Sequence, residues 1–358
     1  MHSDVIAAPL WSAGRDVVDQ LLDAPLEVVW QAGLSGYHTR EARLMDAGGA
    51  AWLVSSDRGV LTLGAGAPSL RTDADWWPVP VRFVGSAHPG GLMLVDDDAG
   101  VYRLTPGQAP VPVWESAYAP DALGVTGLPG GRLLVDAFDD WSSSTMEMID
   151  EVTGHIMWRS GVVGPVMPVG DQLVGAAGEG GRDLVSLDLE SGEERWRNPR
   201  ALTMGGGFIA VVNGVLWIED TLEERVRGFG VDSGRPVESI ALPRPTRLTG
   251  VLDPGGRLHS ADEHGWLVVD LARGRVDSDT RFENVGIDRV LAARTVRSAD
   301  GRLVLADTRG QIFVVHPAHP HRPEPVTTCA QVAGIAITAG RVVVLSYDGT
   351  LTGIGARS

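Results

Sequence analysis

The residues best equipped for chemistry fall into four groups. His316-Pro317-Ala318-His319-Pro320-His321 is the densest imidazole run, and neutral imidazoles at such spacing can bind zinc or nickel. Prolines at 317, 320 and 323 break regular structure there and no cysteine or carboxylate adjoins the run, so it reads as a surface turn. Acidic residues recur along the chain at Asp57, Asp98, Asp140, Glu179, Asp220, Asp262, Asp307 and Asp348. Arranged in a ring they would attract cations or a basic partner; Asp just before Gly is also ordinary turn chemistry, and that reading is preferred.

A third group, Ala137-Phe138-Asp139-Asp140-Trp141-Ser142-Ser143-Ser144-Thr145, expands one turn with aromatics, two carboxylates and hydroxyls. Its serines have no histidine nearby in sequence, so no nucleophile is assigned. The segment is either a flexible insertion or a binding loop. In the fourth group, Trp76-Trp77-Pro78 offers one indole for packing and a second as an exposed anchor. Arg244, Arg247, Arg289 and His264 fall on loops or strand starts of the same face, where arginines are commonly solvated or paired with carboxylates. The expected binding face therefore comprises Trp76, Trp77, Asp139, Asp140, Trp141, Arg247, His264, Arg289, His319 and His321.

What must position these residues is a repeat. A glycine turn leading into an apolar run recurs at Gly49, Gly91, Gly131, Gly170, Gly214, Gly256, Gly301 and Gly340. The spacing averages about 42 residues, the length of a four-stranded propeller blade. The glycine turn joins the first two strands, as Pro129-Gly130-Gly131 and Pro254-Gly255-Gly256 suit. The second strand is apolar at consecutive positions, as in Leu303-Val304-Leu305, which fits burial on both faces. An Asp- and Gly-rich turn follows, then an alternating third strand such as Gln311-Ile312-Phe313-Val314-Val315.

The expected fold is all-β: an eight-bladed β-propeller of four-stranded antiparallel blades, with seven blades as the fallback. Leu26-Glu27-Val28-Val29-Trp30 precedes the first repeat, while the last repeat lacks an outer strand. The N-terminal strand is therefore expected to join the C-terminal blade and close the ring. Residues 1–25 form an N-terminal extension, with 12–22 able to make a short helix capped by Ser12. Residues 26–358 form a single propeller domain.

Two repeats carry a more specific signature. Ile149-Asp150-Glu151-Val152-Thr153-Gly154-His155-Ile156-Met157-Trp158 and Leu187-Asp188-Leu189-Glu190-Ser191-Gly192-Glu193-Glu194-Arg195-Trp196 share strand, Asp, Thr/Ser-Gly turn, and a strand ending in Trp. Asp and the hydroxyl tie the turn, Gly supplies positive φ, and Trp packs one blade on the next. This resembles the tryptophan-docking repeat of the quinoprotein-like, pyrroloquinoline-quinone-like propellers, a family that typically has eight blades. Val231-Asp232-Ser233-Gly234 and Val269-Asp270-Leu271-Ala272-Arg273-Gly274 look like decayed copies. The resemblance implies a redox quinone held near a vicinal disulfide, a lysine and a calcium site. With one cysteine and no lysine in the chain, no cofactor and no quinone-dependent dehydrogenase activity are expected.

Composition narrows the rest. The chain has 358 residues, 44% hydrophobic, with a net charge of −16. Such a charge opposes nucleic-acid binding, which needs clustered cations. All 30 basic residues are arginine, which removes Schiff-base, pyridoxal and P-loop lysine chemistry. No run is long and apolar enough for a membrane helix, and the N-terminal residues lack a secretory pattern. The lone Cys329 excludes an intrachain disulfide. The expectation is a monomeric cytoplasmic scaffold, binding a protein or small ligand through one loop face and the central funnel. The alternative is a cofactor-independent lyase, isomerase, cyclase or hydrolase acting on a small metabolite in that funnel.

Overall fold

The computed structural model describes residues 5–7, 26–33, 42–47, 50–55, 59–63, 83–86, 92–105, 108–119, 123–140, 143–203, 207–246, 248, 250–262, 264–298, 301–316, 319, 322–338 and 340–356. Among them the regular structure is antiparallel β, with two short 3-10 turns at Glu179–Gly181 and Phe282–Asn284. Among the described residues no helix is long and apolar enough to cross a membrane.

The described strands assemble into eight sheets, most of them four-stranded. The sheet Val163–Val169, Gln172–Ala177, Asp183–Asp188 and Glu194–Asn198 is representative, its strands paired in chain order. Each of the eight repeat glycines lies between a first and a second strand that pair with each other. The second strands are the most buried, and Leu303–Asp307 is buried at every position. Fourth strands are peripheral: most of Pro236–Ala241 and Glu324–Thr328 is exposed or half-buried.

Packing between sheets supplies the core. One buried cluster joins Leu134, Met146 and Met148 of one sheet to Val166, Leu173 and Val185 of the next. Equivalent clusters link each sheet to its successor. A further cluster packs Ala51, Leu53 and Leu61 against Ala336, Val343 and Leu345, from opposite ends of the chain. Each buried Val or Leu contributes roughly 1.5–3 kcal/mol through removal from water.

Chain ends enter sheets formed by distant residues. Glu27–Gly33 pairs antiparallel with Thr350–Gly355, from Glu27 opposite Gly355 to Gly33 opposite Thr350. This is the pairing the N-terminal apolar strand suggested. Within the expected N-terminal extension, Val5–Ala7 forms a strand that pairs with Phe208–Val212. It adds a fifth strand beyond the first strand of that sheet. The stretch 12–22, read as a short helix, lies outside the described residues.

The tryptophan signature has a plain geometric basis. Trp158 Nε1 donates to the Leu189 carbonyl at 3.2 Å, and Trp196 Nε1 to the Val231 carbonyl at 2.8 Å. Each indole thus docks on the turn between the third and fourth strands of the following sheet. The turns are tied by Asp150 Oδ1, which accepts from Thr153 N and Oγ1, and by Asp188 Oδ1, which accepts from Ser191 N and Oγ. Both carboxyls lie below their ordinary range: the Thr153 hydroxyl leads for Asp150, and the Arg195 guanidinium for Asp188. Trp114 makes a third dock, its ring against Gly154. At the next position Glu238, not an aromatic, meets the corresponding Gly274.

Candidate functional site

Strand order alone fixes where turns gather. In an antiparallel four-stranded sheet, the turn between second and third strands lies at the same end as the connector to the next sheet. Turns between first and second, or third and fourth, strands lie at the opposite end. His264 sits in a second-to-third turn, between Arg257–Ala261 and Gly265–Asp270. Arg289 sits in the connector between Arg275–Arg281 and Val290–Arg297. Those two candidates therefore share one end, and they line one cleft of about 510 Å³.

Six residues that sequence reading did not single out complete that cleft. Arg281 ends a fourth strand, and Arg309 occupies the next second-to-third turn. Phe282 and Ile287, 3% and 6% exposed, form its apolar floor. Among the described lining residues Asp288 is the one carboxylate. Three guanidiniums line the cleft, of which Arg281 pairs with Asp279 and Arg309 with Asp288.

Local hydrogen bonds hold the arrangement. Asp262 Oδ1 accepts from the His264 and Gly265 amides at 2.8 and 3.0 Å. The His264 carbonyl accepts from Phe282 N at 3.1 Å, joining turn to connector. Across the cleft, the Arg289 carbonyl accepts from Thr308 N at 2.8 Å. Thr308 Oγ1 donates to Asp288 Oδ2 at 2.9 Å, and Arg309 Nε lies 3.2 Å from the same oxygen. The Thr308 hydroxyl, then the Arg289 amide and the Arg309 guanidinium, hold the Asp288 carboxyl below its usual range.

Beneath the cleft, Arg244 is 5% exposed and bridges two sheet carboxylates. Its guanidinium donates to Asp262, and its Nε to Asp279 Oδ1 at 3.1 Å. Asp279 Oδ2 in turn lies 3.5 Å from Arg281 Nε. A buried cation thus orders both the His264 turn and the Arg281 side chain.

The remaining candidates are distributed otherwise. Asp139 and Asp140 lie on a strand, Arg132–Asp140, paired with Ser143–Asp150. The expanded turn is therefore a lengthened hairpin, with a register shift between Phe138 and Asp140. His319, exposed, lies between the third strand Gln311–Val315 and the fourth strand Glu324–Thr328. That connection is at the other end of the sheet from His264. Trp76, Trp77, Trp141, Arg247 and His321 lie outside the described residues.

Of the acidic series, Asp220, Asp262, Asp307 and Asp348 accept from amides of their own turns, while Asp57 lies outside the described residues. Asp307 Oδ1 accepts from the Arg309 and Gln311 amides, both at 2.9 Å, and Asp348 Oδ1 from Thr350 N at 2.9 Å. In the sheet Phe83–Ser86, Leu92–Val95, Gly100–Leu104 and Val111–Glu115 the acceptor is Asp96, not Asp98. Asp96 Oδ1 takes the Asp98 and Gly100 amides at 2.9 and 2.7 Å. Asp96 also bonds Tyr102 and, with burial, pushes that phenol above its ordinary value. A second cleft of about 400 Å³ lies here, lined by Asp96, Asp98, Tyr102, Trp114 and Glu115. No group of three or more His, Cys, Asp or Glu able to hold a metal occurs among the described residues.

Comparison with known proteins defines the class. No protein-family model matches the sequence, and no curated protein matches it. Solved structures do match in shape. BamB from Moraxella catarrhalis is 14% identical with a TM-score of 0.58, over 93% of this chain and 100% of that one. The computationally designed Ika8 protein is 13% identical with a TM-score of 0.60, over 90% and 98%. The C-terminal WD40 domain of Sif2 is 11% identical with a TM-score of 0.57, over 96% and 100%. With its antiparallel four-stranded sheets, the chain has a β-propeller fold.

Proposed function

We propose that this chain is an eight-bladed propeller, closed by its N-terminal strand, that works as a non-catalytic cytoplasmic binding scaffold. Eight repeats of the glycine turn support the blade number. The pairing of Glu27–Gly33 with Thr350–Gly355, and the cluster joining residues 51–63 to 336–351, support closure. In this reading the chain acts as a monomer without a redox cofactor. Its one cysteine suits a reducing compartment.

The observation that carries the binding role is the cleft around His264 and Arg289. It is a rim of exposed cations over an apolar floor, at the end where the connectors gather. Such a surface provides contacts for a partner. An acid–base catalyst needs titratable groups converging on a reacting atom, whereas Asp262 and Asp288 are committed to turn amides, a hydroxyl and arginines. A protein partner is therefore favoured over a metabolite undergoing reaction.

The test is affinity capture of the full chain from native lysate, with mass spectrometry of bound proteins and extracted small molecules. A stoichiometric protein is expected. A stoichiometric metabolite without any protein would reverse the reading in favour of a cofactor-independent enzyme.

A further inference from the structure

We infer that the cleft between the sheet 250–281 and the sheet 290–328 receives an acidic segment of a protein partner. Carboxylates of that segment engage Arg281 and Arg309, while an apolar side chain beside them settles on Phe282 and Ile287. The inference rests on the scaffold reading and gives that partner's contact element a chemistry.

Charge placement is the first support. Arg281 and Arg309 are 40% and 73% exposed at their side chains, and each contacts its own carboxylate through Nε. With Nε engaged in that way, carboxylate recognition falls to the paired terminal nitrogens of each guanidinium, the edge that grips a carboxylate with two parallel bonds. The Nε contacts also limit rotation, so less side-chain entropy is lost on binding. Although the chain carries −16 overall, the Debye length is about 8 Å at physiological salt, so charges farther off are largely screened from the cleft.

Shape is the second. The cleft is roomy, at about 510 Å³. Gly286, with φ of 74°, lines it, and a β-carbon there would meet nothing within 4 Å. The wall is open at that point, as a passing backbone requires. Phe282 and Ile287 offer an apolar footing that an inorganic anion would not use.

Energetics favour a chain segment over a free small anion. Exposed guanidinium–carboxylate contacts are individually weak, so two alone leave a free dianion weakly bound. A segment adds apolar burial on the floor and backbone contacts along the open wall.

The experiment uses the full chain and a fluorescent synthetic peptide of alternating glutamate and leucine, with a lysine–leucine peptide as control. Anisotropy should report saturable binding of the acidic peptide only. The double variant Arg281→Glu/Arg309→Glu should weaken it by about tenfold or more and acquire affinity for the lysine peptide. Arg281→Gln/Arg309→Gln should weaken the first without creating the second, and both should melt like the parent. Absence of saturable binding, equal binding by the variants, or displacement by inorganic phosphate at the peptide's own concentration would overturn the inference. Should a captured partner bind the Arg281→Glu/Arg309→Glu chain as tightly as the parent, this inference fails and the scaffold reading stands. Should capture yield only a metabolite, the scaffold reading itself fails.

Discussion

The ring of Trp196 lies so close over Gly234 that a β-carbon on that glycine would stand 2.4 Å from it. The indole from one sheet and the turn of the next are fitted to each other at the backbone, and the Nε1 bond to the Val231 carbonyl fixes the orientation. The same contact recurs at Trp158 over Gly192, at 2.7 Å. These contacts tie neighbouring sheets at their outer strands, where Trp158 belongs to one inter-sheet core cluster and Trp196 packs against the next.

Gly234→Ala should therefore cost more than a left-handed backbone alone explains. Gly170 is the control, since its φ of 60° is similar and a β-carbon there would meet nothing within 4 Å. Urea unfolding should give a loss of about 1 kcal/mol for Gly170→Ala, from backbone strain. For Gly234→Ala the loss should be about 3 kcal/mol, because the indole must also move. Equal losses would mean that the indole contact carries no weight.

A buried carboxylate makes stability fall with rising pH. Asp136 is 9% exposed, its Oδ1 has no hydrogen-bond partner, and burial raises its pKa from 3.8 to about 6. The folded state holds the proton more tightly than the unfolded one. The contribution is thus intact below 3.8 and lost as pH climbs through 6. At neutral pH the ionised group costs on the order of 3 kcal/mol. Asp136→Asn should raise Tm near neutral pH and leave it nearly unchanged near pH 4. A gain of the same size at both pH values would refute the assignment.

Truncation tests the pairing of the two chain ends. Removing residues 1–33 deletes the strand opposite Thr350–Gly355 and exposes an unpaired sheet edge. Tm should drop by several degrees and the protein should aggregate as its concentration rises. Removing residues 1–9 deletes only the three-residue strand Val5–Ala7 and should leave most of that stability in place. Equal melting of the parent and the chain lacking residues 1–33 would exclude closure by the N-terminal strand.

Local signals in the sequence carried the sheets. A glycine between two apolar runs marks a first turn wherever it occurs, and all eight marks fall between paired strands. Terminal pairing was legible because an apolar strand stood before the first repeat and a gap stood after the last. Three features were not legible. Trp114 docks without the full signature around it. Asp96 replaces Asp98 as the turn acceptor because Gly100 fixes the count. The hairpin through Asp139 and Asp140 runs on as strand where polar composition suggested a loop.

The cleft was half legible. His264 and Arg289 stood out by type and loop position, whereas Arg281 and Arg309 lie in different repeats and meet only through the packing of successive sheets. Arg244 was read as one arginine among several. Its burial follows from two carboxylates, Asp262 and Asp279, that no sequence spacing places on either side of it.

Glu27–Gly33 and Val5–Ala7 leave the ribosome well before the strands they pair with. Gln31 bonds Thr352 across 321 residues of chain, and Val5–Ala7 must wait for Phe208–Val212. During synthesis both strands are thus unmatched ribbon, and the sheet that takes in Glu27–Gly33 can be completed only after Thr350–Gly355 has been made. A cell making this protein has to shield that ribbon from other nascent chains until its mate emerges.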